Sequence, residues 1–227
     1  MPKIERLVVI SPHLDDGVFS CGNLIAAHPH TTVITVFAGL PGEETPAPEW
    51  DQRAGFASAA SAMDARRRED REALERLHAF PVWLDFFDSQ YEMPANNDDI
   101  VRNLGQVLSR FSDTVVAAPL GLFHSDHVLV QQAALDLWRQ AANRASWLFY
   151  EDALYRRLAG LLQHRLASWR DNGLIACPIE MHQAELAAAK ERAVSAYGSQ
   201  LALFQNAKRA DLTAPERYWQ LQCDQSR

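Results

Sequence analysis

Short β-branched runs alternate with stretches of helical periodicity along this 227-residue sequence. Two of those runs stop abruptly at clusters of His and Asp. Together these observations predict the α/β class, in the form of a Rossmann-like three-layer sandwich with a mainly parallel sheet. With strands one to three running outward one way and strands four and five the other, the order is 3-2-1-4-5. Strands one and four then flank the topological switch point, where open sheets of this kind bind ligands.

The first strand is predicted over residues 5–11, and it gives way to Pro12, His13, Leu14, Asp15 and Asp16. A helix over 21–27 follows, its small residues Cys21 and Gly22 allowing close backbone approach. Residues 32–38 read as a second buried strand, ended by Gly39 and a loop with Pro41, Pro46 and Pro48 of the sort that walls pockets. A long helix is expected over 51–77, its buried side carrying Phe56, Ala60, Met63, Leu74 and Leu77. Inside it Arg66 to Glu72 is charge-dense, and its plain reading is a solvated face laced with i,i+4 pairs. Residues 82–87 form the third strand, 98–111 a helix and 114–118 the fourth strand. The second cluster, His124-Ser125-Asp126-His127, opens a helix over 128–138 with Ser125 or Asp126 as N-cap. A fifth strand is expected over 147–150, and the carboxyl-terminal third is read as mostly helical, notably over 181–204.

Hydrophobic residues make up 48% of the chain, enough to bury a proper core, and no linker divides it, so residues 1–227 are read as one domain. The net charge of -7 and the lack of a basic stripe interleaved with aromatics argue against a nucleic-acid partner. A small neutral or cationic substrate suits the charge better. No leader-like pattern and no apolar run of about 18 residues is seen, so the expectation is a cytoplasmic protein without membrane insertion, its oligomeric state open. Cys21, Cys177 and Cys223 are odd in number and far apart, as reduced thiols are.

The two clusters carry the chemistry. A catalytic zinc takes three ligands from His and carboxylate and keeps one position open. In a tight turn His13 and Asp16 can both point at one ion while Asp15 is aimed beside it, placed to accept a proton from activated water. His127, at the start of the following helix, completes the triad. His124 then faces the substrate carbonyl, where an imidazolium steadies the oxyanion or protonates the leaving amine, with Asp126 orienting it. Either Asp of the first loop taken singly can be an ordinary helix N-cap. The coincidence of two His/Asp clusters on adjacent strands argues for the site. His28, His30, His78, His164 and His182 have no such neighbours and are read as non-functional.

Three rivals use the same residues. His13, Asp15 and a distant His match a two-histidine, one-carboxylate iron(II) oxygenase, but those sites sit on β-rich barrels and leave Asp16 without a task. A phosphoesterase with two metals needs a second carboxylate-rich set, which the sequence lacks. A sugar-binding or scaffold protein without turnover would have little use for the base.

Ser11-Pro12-His13-Leu14-Asp15-Asp16, with Cys21-Gly22 behind it and His124-Ser125-Asp126-His127 downstream, resembles the PIG-L/LmbE-like family of zinc-dependent N-acetylglucosaminyl deacetylases. Trp50-Asp51, Arg68-Glu69-Asp70, Tyr150-Glu151-Asp152, Ala196-Tyr197 with Ser199-Gln200, and Glu216-Arg217-Tyr218-Trp219 look like features of one bacterial branch. The resemblance implies His13, Asp16 and His127 as metal ligands (Zn2+, with Fe2+ the other candidate), Asp15 as base and His124 as the oxyanion-stabilising or proton-donating group. It implies hydrolysis of the N-acetyl group of an amino sugar or glycoconjugate. It also implies a substrate-contacting Arg near Arg68, although three consecutive Arg leave the register open. Gly17 and Asn23 depart from the commoner residues and are expected to border the pocket.

Overall fold

Leu7–Ser11 forms strand β1, and every one of its residues is buried. An unbroken apolar run has no polar side to turn to water, so it needs cover on both faces, as at the centre of a parallel sheet. Strands β2 (Thr32–Thr35) and β4 (Val115–Pro119) flank it, both parallel. Outside them lie β3 (Phe80–Trp83) and β5 (Trp147–Tyr150), again parallel. The predicted order 3-2-1-4-5 is present, and β1 and β4 are neighbours at the switch point. This computed structural model describes residues 4–91, 93, 95–141, 146–181 and 184–224.

Side chains alternate across the sheet with a period of two. Leu7 and Val9 join Phe19, Leu24, Leu74 and Tyr197 on one side, beneath helices α1 (Asp16–Ala27), α3 (Ala59–Arg76) and α7 (Ala187–Val194). Val8 and Ile10 join Ile34, Leu104, Trp138 and Phe149 on the other, beneath α4 (Asn97–Leu108), α5 (Ser125–Gln140) and α6 (Leu161–Asp171). Among the described residues no helix is long and apolar enough to cross a membrane. Cys21, Cys177 and Cys223 are free thiols.

The carboxyl-terminal third departs from the expected run of helices. Strands β6 (Leu174–Ile179) and β7 (Tyr218–Cys223) extend the sheet to β3-β2-β1-β4-β5-β7-β6, with β7 antiparallel to both neighbours. Pro178 is tolerated because β6 is an edge strand. The helix expected over 181–204 is α7 followed by the single turn α8 (Gly198–Leu201), with α9 (Asn206–Leu212) beyond. Residues 182 and 183, His182 included, lie outside the described residues.

Two other expectations need correction. The helix over 51–77 is two helices: α2 (Glu49–Arg53) ends before Gly55, whose φ of 88° lies in the left-handed region, and α3 restarts with a capping box between Ser58 and Ser61. Helix α1 begins at Asp16, earlier than expected, and is kinked at Cys21, where φ is -128°. The backbone amides of Asn23 and Leu24 donate to the Glu216 carboxylate at 2.8 and 3.2 Å. Glu216 also accepts from Lys190 Nζ and from the Tyr218 hydroxyl, each at 2.7 Å. One buried carboxylate from the end of the chain thus satisfies the kink near its start.

Candidate active site

The loop after β1 is fixed by its own residues. Ser11 Oγ donates to the His13 carbonyl at 2.5 Å and accepts from the Gly17 amide at 2.7 Å, tying both ends of the turn. Chain beyond β2 adds two bonds, from Val36 N–H to the Ser11 carbonyl and from Phe37 N–H to the Pro12 carbonyl. Asp15 sits at the N-cap position of α1, yet its side chain makes no capping bond, which removes the plain structural reading of that carboxylate. Asp16 Oδ2 instead accepts the His13 amide at 3.0 Å and lies 2.9 Å from His13 Nδ1.

The second cluster is delivered by α5. Gly121 has a φ of 72°, and a Cβ there would stand 2.6 Å from Gln131 Cβ, so glycine is required at this turn. The N-cap of α5 is His124, not Ser125 or Asp126: its Nδ1 accepts the Asp126 amide at 3.3 Å. One turn of helix then carries His127 inward, where it is 1% exposed and its Nε2 lies 3.0 Å from Asp16 Oδ2. Ligand-capable atoms of His13, Asp16 and His127 all fall within 4.8 Å of one another.

That donor set fits a transition metal. Zinc bonds of about 2.0 to 2.2 Å in a tetrahedron place ligand atoms about 3.3 Å apart, and the two Asp16–imidazole separations are within a few tenths of that. Each imidazole also has a carboxylate behind it, the usual support for a metal-binding His. His127 Nδ1 is 2.7 Å from Asp152 Oδ1, and His13 Nε2 is 3.0 Å from Asp126 Oδ2. Asp126 was expected to orient His124, but it stands 3.8 Å from His124 Nδ1 and is engaged by His13 and the Ser89 amide. Its geometry makes it the positioning group of His13.

The electrostatics follow from that packing. Burial and the adjacent Asp16 charge lift Asp15 to about 7, with His13 and Arg66 pulling the other way. Burial would raise Asp16 as well, but the two imidazoles hold it well below the usual carboxylate range. For His127 burial is outweighed by Asp16 and Asp152, which raise it to about 9. Burial and the nearby His13 push His124 down.

A cavity of about 410 Å³ opens over His13, Asp15 and Asp16, with His124, Tyr155, Tyr197 and Gln200 among its walls. His127 lies behind Asp16 rather than on the surface of the cavity. Of the three consecutive arginines, Arg66 lines the cavity, paired with the buried Asp51, while its Nε has no hydrogen-bond partner. Arg68, the expected substrate residue, is 62% exposed and pairs with Asp64, away from the cavity. The sequence holds a signal for this: the buried stripe of α3 runs through Met63, Arg66, Asp70 and Leu74, steps of three and four that bring two charged residues inward. Gly17 and Asn23 do not border the cavity: Gly17 abuts Ser11 and Val33, and the Asn23 amide meets Glu216. Nor does the proline-rich loop, which instead leads into α2 and its Trp50. Sequence reasoning missed Asp152 as support for His127 and gave no task to Asp88, which lies 3.7 Å from His13 Nε2. His28, His30, His78 and His164 are not among the residues that line the cavity.

A doubly wound sheet that brings two imidazoles and a carboxylate together at its switch point, beside a second carboxylate, defines an α/β protein with a metal-type His/Asp centre. The chain belongs to the PIG-L family (GlcNAc-PI de-N-acetylase), whose profile matches residues 8–138. A 2'-N-acetylparomamine deacetylase of Streptomyces fradiae is 30% identical over 171 residues, 66% of this chain and 57% of the relative. An A40926 pseudoaglycone deacetylase superposes with a TM-score of 0.77 at 26% identity, covering 98% of this chain and 99% of the other. A triple mutant of a deacetylase from the teicoplanin biosynthetic pathway gives 0.76 at 25% identity over 98% of this chain and 100% of its own.

Proposed function

We propose that this protein is a zinc-dependent hydrolase that removes the N-acetyl group from an amino sugar or glycoconjugate, with residues 1–227 acting as one deacetylase domain. The observation that carries the reading is the Asp16 carboxylate set between His13 and His127, with Asp15 beside it at the cavity floor. The relatives, by name a 2'-N-acetylparomamine deacetylase and an A40926 pseudoaglycone deacetylase, support the reaction and the substrate class.

His13, Asp16 and His127 would hold the metal. When bound, zinc acidifies a water to a pKa of about 7 and polarises the amide carbonyl. Asp15 accepts a proton from the water that adds to the acetyl carbon. Burial and the adjacent Asp16 carboxylate raise its hold on that proton, and a bound dication would lower it again. The same carboxyl is placed to hand that proton to the departing amine, so that acetate and a free amine leave. His124 accepts the Asp126 amide on Nδ1, so its neutral ring carries the proton on Nε2. It donates that hydrogen to the developing oxyanion as a neutral donor, where the sequence suggested an imidazolium. Arg66, which lines the cavity, takes the substrate-holding part expected of Arg68.

The test is acetate release from a panel of N-acetylhexosamines and their glycosides, with protein stripped by chelator and reloaded with zinc or iron(II). Asp15→Asn and His13→Ala are each expected to lower turnover by about 100-fold or more. Acetate release that survives both substitutions and the chelator would overturn the assignment.

A further inference from the structure

Phe123 is a large apolar residue that the hydrolytic scheme leaves without a task. It immediately precedes His124, its side chain is 66% exposed, and its φ of 62° lies in the left-handed region. Bulky residues avoid that region, and those held there gather at binding and catalytic sites. Burial of the ring does not explain the strain, because the ring is largely in water.

Its surroundings do supply a reason. The Phe123 ring stacks on Tyr155 at a centroid distance of 5.6 Å and an interplanar angle of 29°. Tyr155 lines the cavity and stands edge-on to His127, 5.1 Å between centroids. Three rings therefore lead from the deepest imidazole out to solvent: His127, Tyr155, Phe123. Leu154, also on the cavity wall, has a φ of 71°, so strained backbone occurs on both segments that build this wall. A cavity of about 410 Å³ suits one small-molecule unit with its acyl group. Whatever that unit is joined to must leave over the rim.

We infer that Phe123, backed by Tyr155, forms an outer subsite for a ring attached to the N-acetylated sugar, gripping the flat face of that ring. The inference rests on the proposed deacetylase reading. The chemistry it selects is a planar or C–H-rich ring face, which a second sugar and an aryl group both present.

Calorimetric titration of zinc-loaded Asp15→Asn protein tests it, since this variant binds without turning over. The probes are N-acetylglucosamine, N,N'-diacetylchitobiose and para-nitrophenyl N-acetylglucosaminide. The two ring-bearing probes are expected to bind more tightly than the monosaccharide. Adding Phe123→Ala should cut that preference by about three- to tenfold, the usual worth of one aromatic stacking contact, and Phe123→Trp should restore it. Phe123→Gly, which suits the local φ, serves if the Ala variant does not fold. Loss for the chitobiose alone points to a sugar in the subsite, and loss for the aryl glycoside alone to an aryl group. A preference unchanged in the Ala and Gly variants, or absent from the parent, overturns the inference and leaves the deacetylase reading standing. Binding of none of the three probes by the parent overturns both.

Discussion

Asp152→Asn isolates the support behind the metal ligands. Asp152 Oδ1 lies 2.7 Å from His127 Nδ1, and both side chains are 1% exposed. Its other oxygen accepts the Leu122 amide at 3.1 Å. Asn has one carbonyl oxygen for these two donors, so one of them faces an NH2 group whichever way the amide turns. In either orientation the charge that helps raise His127 to about 9 is gone, and the imidazole becomes a weaker donor to a metal. Loss of such a carboxylate lowers metal affinity about 10- to 100-fold, equivalent to about 1.4 to 2.7 kcal/mol. The assay is zinc competition against a chromophoric chelator, with thermal melting of the zinc-free protein to confirm folding. Parent-like zinc affinity in a folded Asp152→Asn protein would refute the place given to His127 and Asp152 together.

Three further outcomes are expected. Asp70 accepts hydrogen bonds from Trp83 Nε1 at 2.7 Å and from the Tyr197 hydroxyl at 2.9 Å, and burial raises its carboxyl from 3.8 to about 7. The folded state thus holds this proton more tightly than the unfolded chain, so the associated stability is full below about pH 4 and is lost as pH rises through about 7. Three pH units at 1.36 kcal/mol each is about 4 kcal/mol. Asp70→Asn, which keeps both bonds if the Tyr197 hydroxyl turns to accept, should flatten urea-unfolding stability over that range; an unchanged pH slope would count against it. Arg66→Lys keeps the charge and loses the fork, and should raise KM about tenfold. Arg68→Ala removes an exposed i,i+4 pair and should leave KM within about twofold. Kinetics of acetate release separate the two.

The parts of the fold that hydrophobic burial dictates were legible in the sequence. Leu7 to Ile10 could be nothing but a covered central strand, and the clusters ending strands one and four mark the switch point. β7 was not legible, because Tyr-Trp-Gln-Leu-Gln-Cys contains no β-branched residue and is a strand only by pairing with β5 and β6. The break in the long helix was carried by Gly55 and by Ser58 with Ser61, short-range signals that the charge density downstream obscured. The meeting of His13, Asp16 and His127 could be read from residue type and spacing. Its support could not, since Asp152 meets His127 across 25 residues and Asp126 meets His13 across 113. Which partner a carboxylate chooses at that range is decided by the packing of α5 against the sheet, and Asp126 accordingly serves His13.

The four-way engagement of Glu216 bears on how the protein is made. Helix α1 leads directly out of the His13–Asp16 turn, yet two of its amides have their acceptor only once residue 216 is in place. On the ribosome this helix waits for a residue 192 to 193 positions further along the chain. A nascent chain halted after β5 would already possess His13, Asp16 and His127 but would carry an open wound in the helix that aims two of them. The helix that leads out of the His13–Asp16 turn is therefore complete only when these two distant segments meet.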